Sequence, residues 1–119
     1  MSSDVDQIVG RVQAALSEPL PDTAPLRRAL TCLDAGLGAL GWRMDGTQRF
    51  ALGTHLASVV RRFATGDRLP DIEDEILTQV SQPANELADE ILGTLQPPGV
   101  IQPEERFLIA VHLDTAQLS

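Results

Sequence analysis

Apolar residues recur every three to four positions along nearly the whole chain, and no segment alternates with period two over a useful length. That pattern restricts the chain to helices, because a half-buried strand needs apolar side chains at every second residue. Val5, Ile8, Val9, Val12 and Leu16 make the stripe of a first helix, with Ser3 placed to cap it and Asp4 and Asp6 near the positive end of its dipole. The Glu18-Pro19-Leu20-Pro21-Asp22 segment breaks that helix. Pro25 suits the first turn of a second helix, whose Leu26, Leu30, Leu33, Leu37 and Leu40 run to Gly41 and the Asp45-Gly46 turn. A third helix starts near Thr47, carries Phe50, Leu52, Leu56, Val59, Val60 and Phe63, and ends at Thr65-Gly66-Asp67.

Asp71 is placed to cap a fourth helix with Ile72-Glu73-Asp74-Glu75 as its first turn. Pro83 falls inside the same helical pattern and kinks or restarts it. Leu87, Ala88, Ile91, Leu92 and Leu95 continue the apolar face to the Pro97-Pro98-Gly99 loop. Pro103 opens a last helix with Leu108, Ile109, Val111, Leu113 and Ala116. The expected fold is an all-α bundle of five helices, or six if Pro83 breaks the fourth. The leucine stripe of the second helix is core or a dimer seam, and Trp42 at its end is a core or interface anchor.

The 119 residues suit one domain, 1–119, able to bury one core without disulfides or metal. All nine basic residues are arginine, against seventeen acids, for a net charge of -8. So acidic a surface argues against binding nucleic acid or anionic lipid, both of which need a concentrated positive face. Residues 1–66 balance at +1 and residues 67–119 at -9, a gradient that either orients a partner or simply solvates helix faces. Cys32 is alone among leucines and reads as a small buried hydrophobe, so neither a disulfide nor a cysteine metal cluster is expected. The acids at 71–75 point in different directions on a helix, and dipole compensation explains them better than a metal. No signal-peptide pattern or membrane-length apolar run is visible, and the expected location is cytoplasmic.

Only His55 and His112 titrate near neutrality. Arg62 follows His55 by seven residues and Glu105 precedes His112 by seven, each pair on one helix face. A neutral imidazole offers a nucleophilic nitrogen, an arginine can hold phosphoryl oxygens, and a carboxylate can fix a tautomer. From spacing alone, histidines on half-apolar helices are more often core or boundary residues than functional ones.

The segment Leu52-Gly-Thr-His55-Leu-Ala-Ser-Val-Val-Arg-Arg62-Phe63 resembles the first signature of the phosphotransferase-system regulation domain family (PRD). Pro103-Glu-Glu105-Arg-Phe-Leu-Ile-Ala-Val-His112-Leu113 resembles the second, and Glu86-Leu-Ala-Asp-Glu-Ile-Leu92 the family's penultimate helix. The likeness is best over residues 47–117. It implies a five-helix bundle that forms homodimers and is a phosphoryl acceptor rather than an enzyme. The donor would be the phosphocarrier protein or a sugar-specific transporter subunit. Carried across, His55 and His112 are the phosphoacceptor candidates, with Arg62 supporting the first and Glu105 the second. Thr54 stands where the family has an aspartate and can hydrogen-bond but brings no charge, which makes His112 the principal acceptor. With no effector module, the domain is expected to signal to a protein partner in trans. Two alternatives are a non-phosphorylated helical adaptor of the same fold and a small enzyme using the histidine pair as acid and base; no cofactor signature accompanies the latter.

Overall fold

Prolines and left-handed glycines mark the helix boundaries in the computed structural model, which describes residues 3–97 and 99–118. The order is α1 (Ser3–Ala15), α2 (Ala24–Leu40), β1 (Trp42–Arg43), α3 (Gly46–Thr65), α4 (Asp74–Leu77), α5 (Gln82–Gly93), α6 (Pro103–Asp114) and β2 (Gln117–Leu118). It is an all-α bundle of six helices, the sixth arising at Pro83. Pro25, Pro83 and Pro103 each lie in the first turn of a helix, where the missing N–H removes no helical hydrogen bond. Gly41 (φ 70°) and Gly66 (φ 80°) close α2 and α3 in the left-handed region. The capping roles expected of the Ser3 and Asp4 side chains, and the Pro98 turn position, lie outside the described residues.

The apolar stripes meet in one core. Val12, Leu26, Leu33, Leu52, Leu56, Val59, Ile91, Leu92, Ile109 and Leu113 are fully buried in it. Helix α5 packs along α6, α1 along α3, and α2 touches α1, α3 and α5. Gly36 lets α2 approach α5 closely: a Cβ there would lie 2.2 Å from Leu87 Cδ1. Leu40, at the outer end of the leucine stripe, is exposed, while Cys32 and Trp42 are half-buried against the core.

Two expectations need correction. The helix expected from Asp71 is a single turn, Asp74–Leu77, preceded by Glu73 at its N-cap. Its amides find tertiary partners instead: Ile72 N donates to Glu104 Oε2 at 3.1 Å and Leu69 N to Gln102 Oε1 at 3.1 Å, while Gln102 Nε2 donates back to the Leu69 carbonyl at 2.8 Å. Side chains at the start of α6 thus strap residues 69–72 down in a non-helical conformation. Second, Trp42 and Arg43 pair antiparallel with Leu118 and Gln117. A two-residue ladder is too short to leave a period-two signal.

Candidate functional site

Helix α3 is anchored by a capping box. Asp45 Oδ1 accepts from Gln48 N at 2.8 Å, and Gln48 Oε1 accepts from Asp45 N at 2.9 Å. Gln48 Nε2 also reaches the Thr115 carbonyl at 2.8 Å, tying the start of α3 to the end of α6. These contacts fix the register that brings four polar residues together.

His55 meets His112, with ring centroids 5.5 Å apart and planes at 73°. Arg62 meets Glu105 in a two-pronged ion pair, Nε to Oε2 at 2.6 Å and one terminal nitrogen to Oε1 at 2.7 Å. Since the order along α3 is reversed along α6, the two helices run antiparallel and the four residues form two rungs. Seven helical residues separate the rungs by about 10 Å along the axis. Sequence reasoning found all four residues but assigned each supporting side chain to its own helix's histidine. The structure instead joins the two supporting side chains to each other. The equal spacing of seven, in opposite order on the two helices, is the sequence signal that carries this register.

Glu105 is 2% exposed and would be costly to bury as a lone charge, which the Arg62 fork offsets. On the other rung, His55 Nε2 is buried without a hydrogen-bond partner. No hydrogen bond reaches the His112 ring either, among the described residues. Burial pushes the His55 pKa down to about 4, helped by His112 and the Arg62 guanidinium and opposed by Glu105. Burial also lowers that of His112. Both imidazoles are therefore neutral at pH 7, with a lone pair on each ring. Thr54, expected as a hydrogen-bonding neighbour of His55, donates its hydroxyl to the Phe50 carbonyl of its own helix at 3.0 Å.

A groove of about 370 Å³ takes in Arg62, Phe63, Arg68, Gln102 and Glu105 but neither histidine. Its polar floor is consumed by the Arg62–Glu105 pair and the Gln102 strap. Burial, and secondarily Glu90, raises the Cys32 thiol pKa, which keeps this sulfur in its unreactive form. Among the described residues no group of three or more His, Cys, Asp or Glu is placed to hold a metal ion, and no helix is long and apolar enough to cross a membrane. No family model, curated protein or solved structure matches the chain.

Proposed function

We propose that this chain is a PRD-like regulatory domain that accepts a phosphoryl group on His112 from a phosphohistidine of the sugar phosphotransferase relay. The observation that supports this reading is the meeting of the only two histidines, 57 positions apart in sequence, on one rung beside a buried Arg–Glu rung. An imidazole kept neutral by burial is a competent nucleophile at pH 7. In the transfer, a ring-nitrogen lone pair of His112 attacks phosphorus and forms the new N–P bond. The donor's N–P bond breaks and leaves its electron pair on the donor imidazole. His112 rather than His55 is the acceptor, because the His55 Nε2 is buried in the resting fold and Thr54 brings no charge beside that ring.

The product carries roughly -1.5 to -2 charges where there had been none. Placed at the α3–α6 seam, that charge alters the packing of two helices that also hold Arg62 and Glu105. A change at this seam is a means of signalling to a protein partner in trans, with the domain acting as a homodimer in the cytoplasm where the relay operates. The chain is then a substrate of the relay and not itself an enzyme.

The test is intact-mass analysis after incubation with the phosphocarrier protein, its kinase and phosphoenolpyruvate, and in parallel with sugar-specific transporter subunits. An acid-labile phosphoryl adduct is expected on wild type and on His55→Ala, and none on His112→Ala. Absence of any adduct with every donor would overturn the reading in favour of an adaptor bundle. Light scattering at micromolar concentration should give twice the chain mass; a monomer would reject the dimer.

A further inference from the structure

We propose that His55 and His112 form a two-imidazole binding site for a divalent zinc-class ion. The inference goes beyond phosphoryl acceptance and does not depend on it.

The site rests on geometry and on unmet bonding capacity. His55 Nε2 is buried and unpartnered, and a buried polar nitrogen in that condition is rare because leaving it unbonded costs free energy. The neighbouring ring, His112 on α6, likewise makes no hydrogen bond among the described residues. Two imidazoles bound to one tetrahedral Zn²⁺ through bonds of about 2.0–2.1 Å hold their ring centroids about 5.2 Å apart. The observed separation is 5.5 Å, within a few tenths of that value.

Charge and protonation agree. A metal ligand must be an unprotonated imidazole, and burial keeps both rings neutral at pH 7. The nearest cation, Arg62, is matched by Glu105 in a neutral pair, so an incoming ion meets no net positive charge. His112 is only half-buried, which leaves room for water to complete the coordination sphere. With two protein ligands the site is open, and binding should be reversible rather than a condition of folding. The ion would clamp α3 to α6 and occupy the His112 ring that phosphoryl transfer needs, so metal and phosphoryl occupancy would exclude each other.

The experiment is calorimetric titration of the full chain with ZnCl₂ at pH 7.5, with no phosphoryl donor present. Its outcome is thus independent of the phosphorylation reading. One ion per chain is expected, with affinity at least tenfold weaker in both His55→Gln and His112→Gln, whose folding is verified by circular dichroism. Imidazole nitrogen NMR on wild type supplies a readout that needs no variant: the resonances of both histidines should shift together and saturate with the calorimetric binding. Zinc binding undiminished in both variants would overturn the proposal, placing the ion on the acidic surface. So would histidine resonances that stay fixed at millimolar zinc.

Discussion

Arg62 on α3 holds Glu105 on α6 with two hydrogen bonds, at 2.6 and 2.7 Å, and the carboxylate it holds is almost entirely out of water. This contact is one rung of an antiparallel helix pair whose other rung is His55 against His112. The two rungs differ in kind. One pairs its charges; the other leaves the His55 Nε2 without a hydrogen-bond partner.

Removing one member of the satisfied rung should be severe. Arg62→Ala strands a buried carboxylate, and the expected loss is about 3–5 kcal/mol of folding stability. Replacing both partners by leucine should recover more than half of that loss, since the penalty lies in the uncompensated charge. Urea unfolding of the three proteins measures it; equal destabilisation in the single and double variants would contradict this account.

Acid should loosen the other rung. The folded-state pKa of His55 is lowered to about 4 and that of His112 is also lowered, so between about pH 6.5 and pH 4 the unfolded chain binds more protons than the folded one. Stability is therefore greatest above pH 6.5 and falls as pH drops through that window. For His55 the fall is on the order of 2 kcal/mol after allowing for solvent screening at a half-buried ring. Carboxylates add their own acid dependence, including Glu104, whose pKa the Ile72 N–H holds down. Comparing wild type with His55→Gln at pH 7.5 and 4.5 removes that background. The variant should lose distinctly less stability on acidification, and parallel curves would refute the assignment.

Two helical glycines of α2 should respond oppositely to alanine. At Gly38 a new Cβ meets nothing within 4 Å, and the gain in helix propensity is up to about 1 kcal/mol. At Gly36 the same Cβ collides with the buried Leu87 side chain, and crowding of about 1–3 kcal/mol outweighs the propensity gain. Thermal unfolding should therefore move up for Gly38→Ala and down for Gly36→Ala.

Ser81 links two jobs. Its hydroxyl accepts from Ala84 N at 3.3 Å as the cap of α5, and donates to Asp114 Oδ1 at 2.6 Å at the end of α6. Ser81→Ala should cost about 1 kcal/mol through the cap. Asp114 Oδ2 also accepts from Ser81 N at 2.8 Å, so Asp114→Asn, which offers one acceptor oxygen to two donors, should cost at least as much. Denaturant midpoints of the two variants test that order.

The helix boundaries were legible because they are local. Proline at 25, 83 and 103 and glycine at 41 and 66 constrain their own φ values and N–H groups, so their effects can be read without knowing what lies across the core. The same holds for the stripes of α1, α2 and α3, whose spacing names the buried face before any partner is known. The helix expected from Asp71 failed for the opposite reason. Its capping chemistry was sound locally, but Gln102 and Glu104, some thirty residues on, captured the backbone first. The ladder joining Trp42–Arg43 to Gln117–Leu118 likewise exists only through a distant partner.

By itself, the sequence determined an all-α chain, the boundaries that proline and glycine mark, and the four residues worth watching, His55, Arg62, Glu105 and His112. The tertiary structure decided which of them touch. Spacing along one helix fixes only a shared face, and the pairing of side chains between helices depends on direction and register set by the whole packed core. Antiparallel α3 and α6 therefore joined Arg62 to Glu105 and left His55 to His112.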